Sequence, residues 1–378
     1  MRLSHKDRLY PTKAQDAALT GMLGAFCDLY NAALDQRTQA YRRRGVTLRY
    51  GRQAGELKAV RTTDERLAAY SFSAEQQVLR RLDKAFAAFF RRLKVGGKPG
   101  FPRFRATARF DSAEFRVGDG LTIRQTKRLG LVGIPGEVKV EWHRDLPPDA
   151  KVAAAVVSRS RGKWFVRFQI EVPDAAPAER PFAPVGVDMG LSSLVALSTG
   201  ETVPAPRWTG QAARALRRAQ RAVARTRRNS RRRRKAKLRV ARLHARVANR
   251  RRAFSHQLSR SLVDRFTHLA FEDLNVAGLA RGMLAKSVHD AAWTQLVNNA
   301  IDKAAWAGGT VSLVDPRGTS QTCPQCGTVA AKTLAQREHR CDCGGVLDRD
   351  VAAARIVLQR ASFSPGTGLR ARSEPVAA

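Results

Sequence analysis

The chain has 378 residues, of which 43% are apolar, so it is long enough for two or three domains with sizeable cores. Its 69 lysines and arginines against 32 acidic residues give a formal net charge of +37. Because such a charge repels itself unless a polyanion neutralises it, the composition predicts a nucleic-acid partner. A membrane surface is the competing partner, but the sequence contains no run of about 18 apolar residues that could span a bilayer.

The first third of the sequence predicts a short strand followed by helices. Residues 1–9 form the strand, and Thr12 with Gln15 has the spacing of a capping box that opens a helix. Further helices are predicted over 63–67 and 73–93, the latter with one apolar stripe. Residues 96–105 mix glycine, proline, phenylalanine and cations and cannot be helical. Stacking on nucleic-acid bases and an aromatic-anchored turn are equally good interpretations of that segment.

From residue 109 to residue 172 short alternating runs separated by turns predict strands of a small barrel. A Pro- and Ala-rich linker follows over 173–184. The segment 207–260 is predicted to be a basic helical hairpin, broken over 227–235, and no acid occurs between Glu201 and Asp264. A solvated helix would intersperse glutamates, so this face is better suited to phosphates than to solvent alone. Residues 288–307 predict one amphipathic helix.

Acidic residues end two apolar strands and open one helix. Asp188 ends the strand 184–190, Glu272 and Asp273 end the strand 268–273, and Asp350 opens the last helix. If three carboxylates converge at about 4 Å, each pair repels by roughly 4 kcal/mol at an effective dielectric near 20. Only cations make that tolerable, as in a two-metal phosphodiesterase. The order of these elements is that of an RNase H-like fold. Two alternatives stay open, namely Asp350 as a plain N-cap partnered by Asp348, and Asp273 as the functional acid.

Two cysteine pairs lie between the last predicted strand and the last helix, Cys323/Cys326 and Cys341/Cys343. Their spacing suits one tetrahedral zinc ion in a structural site. The second pair has a single intervening residue, which leaves His339 as a possible substitute ligand. Two disulfides are the alternative, but the first residues lack an apolar signal core, so we expect an intracellular protein with reduced thiols. Cys27 is predicted to be a buried small hydrophobe.

Four motifs resemble those of one family in the same order. They are Gly186-Val-Asp188-Met-Gly190, Phe271-Glu272-Asp-Leu-Asn275, Thr319-Ser-Gln-Thr-Cys-Pro-Gln-Cys-Gly327 and Asp348-Arg-Asp350. They are similar to the RuvC motifs and zinc ribbon of TnpB proteins, which belong to bacterial insertion sequences and are related to compact type V CRISPR effectors. Residues 79–90, 98–104 and 243–249 also resemble that family.

The resemblance implies an RNA-guided DNA endonuclease in which Asp188, Glu272 and Asp350 bind two Mg²⁺ ions and Cys323, Cys326, Cys341 and Cys343 bind Zn²⁺. Its partners would be a guide RNA encoded by the element and a double-stranded target DNA beside a short motif. We expect a cytoplasmic, nucleoid-associated monomer.

The implied fold is multidomain α+β. It comprises a wedge-type barrel (1–10 and 106–176), a helical recognition lobe (11–105), a RuvC-like domain (181–317 and 346–361), a zinc ribbon that loads the target (318–345) and a disordered tail (362–378).

One departure from the family concerns the helix after the last acid, where Ala352 and Ile356 stand at positions that usually carry asparagine. The change is expected to be tolerated, although it could lower the cleavage rate. Two other functions compete with an active nuclease. One is a guide-dependent DNA-binding regulator that has lost cleavage, and the other is a transposase or simple zinc-ribbon nucleic-acid binder.

Overall fold

The computed structural model describes residues 2–124, 126–146, 150–173, 180–333 and 336–361. The chain divides into two compact units, Met1–Asp174 and Ala175–Ala378, and both combine helices with a sheet. The fold is therefore multidomain α+β, as the sequence predicts. The expected disordered tail, 362–378, lies outside the described residues, as do positions 174–179 of the expected linker.

A closed seven-stranded barrel forms the centre of the first unit, which confirms the predicted barrel. Its strands are β1 (Arg2–Tyr10), β2 (Ser112–Val117), β3 (Gly120–Ile123), β4 (Arg128–Leu131), β5 (Glu137–Glu141), β6 (Lys151–Ser160) and β7 (Lys163–Glu171). They follow the order β1-β5-β4-β3-β2-β6-β7, and β1 closes the barrel by pairing antiparallel with β7. Inward-facing aromatic side chains such as Phe115 and Phe168 are fully buried.

The helices of this unit are α1 (Lys13–Arg44), α2 (Tyr50–Thr63), α3 (Glu65–Ala68) and α4 (Phe72–Lys94). The predicted capping box opens α1, since Thr12 and Gln15 each accept a hydrogen bond from the other's backbone N–H. Within the described part of the chain, α1 is the one helix long and apolar enough to cross a bilayer. Leu19, Met22 and Phe26 of α1 are fully buried in the hydrophobic core that this helix shares with the barrel, as expected for the core helix of a globular unit.

The helix predicted over 63–67 corresponds to α3, but its predicted start is wrong because the chain turns at Asp64, and the preceding helix α2 is not predicted from the sequence. The Asp64 carboxylate accepts hydrogen bonds from the backbone N–H groups of Arg66 and Leu67, so it ends α2 and starts α3. The segment 96–105 contains no helix, as predicted. Its Phe101 ring packs edge-on at 5.4 Å from Phe89, which favours the anchored-turn interpretation.

The second unit is built on a five-stranded sheet with the order β10-β9-β8-β11-β12. These strands are β8 (Pro184–Asp188), β9 (Ser193–Leu197), β10 (Thr202–Pro204), β11 (His268–Glu272) and β12 (Thr310–Val314). The first three form antiparallel hairpins, whereas β11 runs parallel to both β8 and β12. A separate two-stranded ribbon consists of β13 (Glu338–Arg340) and β14 (Val346–Asp348).

In the described part of this unit, six helices accompany the sheet. These helices are α5 (Trp208–Ala224), α6 (Arg231–Arg265), α7 (Val276–Leu279), α8 (Ala285–Ala291), α9 (Trp293–Trp306) and α10 (Arg349–Arg360). Two of the predicted boundaries are wrong. The hairpin breaks over 225–230, not 227–235, because Asn229 adopts a left-handed turn and Ser230 caps α6. The helix predicted over 288–307 is interrupted at Ala292, whose φ is +53°.

Helix α10 lies directly on β8, and only glycine fits at their contact. A Cβ atom on Gly186 would lie 2.0 Å from the carbonyl oxygen of Ala354 and 2.8 Å from Cβ of Leu358. Because the obstructing atom is a backbone carbonyl oxygen, a Cβ added at Gly186 would force α10 away from β8. This contact fixes how far α10 stands from the end of β8.

Replacing Gly186 by alanine should therefore lower the free energy of unfolding of the second unit by about 1–3 kcal/mol through overpacking. Gly210, in the first turn of α5, is the matched control, because the nearest atom to its added Cβ is 3.9 Å away. Alanine there should be neutral or slightly stabilising. Urea unfolding of both variants measures the difference, and an unchanged Gly186→Ala midpoint would contradict the tight contact.

Candidate active site and metal centre

Asp188 and Glu272 lie side by side at one edge of the sheet. Strands β8 and β11 are parallel neighbours with Val187 opposite Phe271, so the residue that follows each of them occupies the same edge. Burial, then the charges of Glu272 and Asp350, raise the pKa of Asp188 to about 8. A hydrogen bond joins the Asp188 and Glu272 carboxyl groups. Without a cation, the pair therefore retains a proton near neutral pH.

Asp350 approaches the same edge from the first turn of α10. Its Oδ2 atom lies 3.9 Å from the position of a Cβ on Gly190, two residues beyond Asp188. The N-cap of α10 is Asp348, whose Oδ1 accepts hydrogen bonds from the backbone N–H groups of Asp350 and Val351. The interpretation of Asp350 as a plain N-cap is therefore wrong, and its carboxylate is left for other partners.

Glu272, and not Asp273, belongs to this group. Glu272 is only 6% exposed, while Asp273 is exposed and points to the other face of the strand end. Burial raises the pKa of Glu272, and hydrogen bonds from Thr319 and Asp188 together with the charge of Arg360 oppose that rise. The open alternative of Asp273 as the functional acid finds no support in this geometry.

Cations of the chain itself neutralise the three carboxylates only in part. Arg349 donates to Oδ1 of Asp350 through Nε and Nη2 at 3.2 and 3.1 Å, and its charge also lowers the pKa of Asp188. That pKa nonetheless remains far above its ordinary value. Burial is the main reason for that rise, and the charges of Glu272 and Asp350 add to it. Clustered carboxylate oxygens of this kind are the ligands that hard divalent cations bind.

The four cysteines form the one cluster in the described ranges in which three or more candidate ligand atoms all lie within 4.8 Å of each other. The Sγ atoms of Cys323 and Cys343 are 3.7 Å apart, and those of Cys326 and Cys341 are 3.5 Å apart. Zn–S bonds of about 2.3 Å in a tetrahedron place sulfurs about 3.8 Å apart, so the site fits a zinc ion. The three carboxylates do not form a cluster of this compactness.

Glycine turns bring the sulfurs together despite the short second pair. Gly344 has a φ of +87°, and its N–H donates to the carbonyl of Cys341, which wraps the backbone around the site. Hydrogen bonds with Thr328 lower the pKa of Cys326 to about 6. For Cys343, the backbone hydrogen bond from Gly345, which lowers the pKa, is outweighed by hydrogen bonds with neighbouring thiols, which raise the pKa to about 12. His339 is buried against Lys332 and is not part of the cluster, so the structure does not use it as a substitute ligand.

The basic hairpin of α5 and α6 presents cations without acidic partners. In the described structure no arginine or lysine between residues 208 and 250 pairs with a carboxylate. Arg233 instead closes the hairpin by donating to the carbonyl groups of Val223 and Thr226. Farther along α6, Arg251 does pair with Asp290 at 2.7 Å. The unpaired stretch is suited to an external polyanion.

Family profiles match three parts of the chain. Residues 167–283 match the OrfB_IS605 profile, described as "Probable transposase", and residues 293–357 match the Cas12f1-like TNB domain. Residues 1–45 match a profile described as a helix-turn-helix domain, although the described residues there form strand β1 and the single long helix α1.

Two relatives span most of the chain. A Streptomyces pristinaespiralis protein named "Putative RNA-guided DNA endonuclease" is 37% identical over 383 residues, covering 99% of this chain and 93% of the relative. The Escherichia coli K12 protein InsQ, given the same description, is 27% identical and covers 93% of this chain and 90% of its own.

Among solved structures, a Cas12f1–sgRNA–target DNA complex has a similar protein fold. The superposition covers 91% of this chain and 82% of the protein chain in that complex, with a TM-score of 0.57 and 12% sequence identity. The fold and the matched profiles define a protein of the class encoded by IS605-type insertion sequences. Within that class, the chain belongs to the TnpB family.

Two residues at the site were given no role by the sequence. Thr319 contacts Glu272, and Arg360 from the end of α10 acts on the same carboxyl group. Neither contact has a local sequence signal, because each joins segments far apart in the chain. Thr319 stands only four residues before Cys323, and that proximity to the cysteine motif is the one hint available.

Proposed function

We propose that this chain is an RNA-guided DNA endonuclease that hydrolyses target DNA with divalent cations held by Asp188, Glu272 and Asp350. The observation that carries the proposal is the meeting of these three acids at one sheet edge, where burial first, and then the charges of Glu272 and Asp350, raise the pKa of Asp188. The strand order β10-β9-β8-β11-β12 supports an RNase H-like, RuvC-type domain. The names of the two relatives support the guided cleavage of DNA.

The chemistry assigned to the ions is activation of water and stabilisation of the leaving oxygen. The chain's own task is to hold them. Asp188 would give up the proton it carries below about pH 8, and Glu272 keeps one oxygen hydrogen-bonded to Thr319. Arg349 restrains the Asp350 carboxylate on the side of Oδ1. These contacts fix the Glu272 and Asp350 carboxyl groups before any cation arrives, which reduces reorganisation on binding.

The further parts of the proposal concern binding. The cysteine cluster would hold a structural zinc, and the hairpin of α5 and α6 would contact a guide RNA that base-pairs with one strand of the target duplex. The barrel and the helices α1–α4 would serve as the wedge and recognition lobe. We propose a monomer that acts in the bacterial cytoplasm, at the nucleoid when bound to DNA.

Binding of the guide RNA should weaken steeply as salt rises, because phosphate contacts release counterions. Replacing exposed Arg232 and Arg239 of α6 with glutamine should reduce the log–log salt slope by up to about 1.4, at about 0.7 per contact on single strands. Arg265→Gln is the control, since Arg265 already pairs with Glu201. Fluorescence anisotropy across a KCl series measures the slopes. A flat salt response of the wild type would contradict phosphate-dominated binding.

A cleavage-deficient regulator is the second candidate, and Ala352 and Ile356 are the observation in its favour. Both side chains are buried on α10, at 1% and 3% exposure, where the family usually carries asparagine. Their apolar packing supports the position of the helix, so we expect activity to survive.

The deciding assay uses supercoiled plasmid bearing the target, with the RNA that co-purifies with the protein. We expect nicking or linearisation in Mg²⁺ and none in EDTA. Guide-dependent binding without Mg²⁺-dependent cutting would favour the regulator, and cutting that needs no guide would oppose both candidates.

A further inference from the structure

The Thr319 hydroxyl donates a short hydrogen bond to Glu272. Its Oγ1 lies 2.6 Å from Oε1 of Glu272 and 3.0 Å from the carbonyl oxygen of Pro316, and both the threonine and the glutamate are buried. One hydroxyl proton can serve one acceptor fully at a time. The shorter distance and the stronger bond to an ionised acceptor favour Glu272.

The loop that carries Thr319 is held from two sides. Arg360, on the last turn of α10, donates from Nη1 to the carbonyl oxygens of Asp315 and Arg317 at 2.9 and 2.7 Å. On the other side, the hydroxyl of Thr322 donates to the carbonyl of Gly318, and Cys323 follows at once. The loop therefore runs from the end of β12 to the first ligand of the cysteine cluster in a fixed path.

We propose that Thr319 is a positioning residue for Glu272, and that the cysteine cluster contributes to cleavage by holding Thr319 in place. This inference rests on the proposed function, since it assumes that Glu272 binds a catalytic cation. The cysteine cluster would then influence the carboxylates through the short segment between Thr319 and Cys323.

The hydroxyl is the part of Thr319 that matters. A donor on Oε1 fixes the rotation of the carboxylate and leaves Oε2 for a cation. Valine has nearly the same shape but no donor, whereas serine retains it. Loss of a hydrogen bond that orients a ligand carboxylate commonly weakens metal affinity or activity by about 10–100-fold.

The test compares Thr319→Val and Thr319→Ser in the complete protein–guide RNA complex. Titration with Mn²⁺, followed by electron paramagnetic resonance on uncleavable target DNA, measures cation affinity without cleavage. We expect Thr319→Val to weaken Mn²⁺ binding by at least about tenfold and to slow single-turnover cleavage, with zinc content and guide affinity unchanged. Thr319→Ser should stay within about threefold of wild type. Wild-type Mn²⁺ affinity in zinc-loaded Thr319→Val would overturn the proposal.

If Thr319→Val also releases zinc, Thr322→Val gives the second test, because it removes the hydrogen bond to the carbonyl of Gly318 and loosens the same loop without changing a charge near Glu272. The zinc-loaded Thr322→Val variant should bind Mn²⁺ more weakly than wild type, and an unchanged affinity would overturn the inference. Asp188→Asn separates this result from the proposed function. If Asp188→Asn cleaves normally, the proposed site is wrong; if it is inactive while Thr319→Val behaves as wild type, only the role of Thr319 is wrong.

Discussion

Replacing Asp188 by asparagine should abolish guided DNA cleavage, with a fall of at least about 10³-fold in the single-turnover rate, equal to about 4 kcal/mol of transition-state stabilisation. Asparagine keeps the shape of the side chain but removes a charge that divalent cations need. Asp350→Asn should have the same effect for the same reason. Guide and target binding should stay within a few-fold of wild type, because phosphate contacts elsewhere dominate affinity.

The melting temperature of Asp188→Asn tests the role of this side chain independently of cleavage. The pKa of Asp188 is about 8 in the folded chain and near 3.8 when unfolded, so the folded state binds a proton more tightly than the unfolded state. By linkage, stability falls as pH rises from about 4 to about 8, and ionised Asp188 is destabilising without cations. Asp188→Asn should therefore melt at the same temperature or higher at pH 8 in EDTA.

The matched control is Asp273→Asn, which changes an exposed acid beside Glu272. Its cleavage rate should stay within about threefold of wild type, since Asp273 is exposed on the other face of the strand end and exposed substitutions have small effects. Normal cleavage by Asp188→Asn, or equal losses in Asp273→Asn, would contradict the assignment of the acids. A lower melting temperature of Asp188→Asn would point to misfolding instead.

Replacing Cys323 by serine should remove the bound metal and unfold the segment that carries the cysteines. Cys323 is 1% exposed and lies 3.7 Å from Cys343, so no water can take its place without opening the site. Structural zinc supplies about 10–16 kcal/mol of apparent binding energy in small zinc domains, which the short ribbon of β13 and β14 cannot replace. We expect zinc content to fall from one ion per chain to near zero, with faster proteolysis around residues 316–348.

Cys27→Ala is the control for this change, because Cys27 is buried in α1, in the core of the other unit. That variant should keep its zinc, whatever it costs in packing. Mass spectrometry under native conditions and atomic absorption give the stoichiometry. Full zinc loading of Cys323→Ser would contradict a zinc-dependent segment. Equal protease resistance of the wild-type protein before and after zinc chelation would contradict it as well.

The features predictable from sequence are those encoded by local pattern. Apolar strands that end in Asp188 and Glu272, the cysteine spacings, and the capping box at Thr12 each depend on residues a few positions apart. The barrel was also predictable in kind, since its strands alternate and are separated by turns. The pairing of β1 with β7 that closes it follows from no local pattern, and only the family resemblance groups residues 1–10 with 106–176.

The errors have physical reasons as well. Consecutive arginines look like a break in a helix, yet arginine is a good helix former, and the turn is set by Asn229 and the cap Ser230. The distinction between Asp348 as cap and Asp350 as site residue depends on a difference of two residues in where α10 begins. The Thr319–Glu272 contact requires a loop and a strand far apart in the chain to meet, which no local pattern reports.

Manganese spectroscopy of the wild-type complex tests most directly whether the three carboxylates share divalent cations. With guide RNA and uncleavable target DNA bound, we expect two Mn²⁺ ions per chain whose spectra show spin coupling, since ions in two-metal sites lie about 3.5–4 Å apart. Asp188→Asn should lose the coupled signal. Two uncoupled ions, or a coupled pair that survives in Asp188→Asn, would contradict the proposed site.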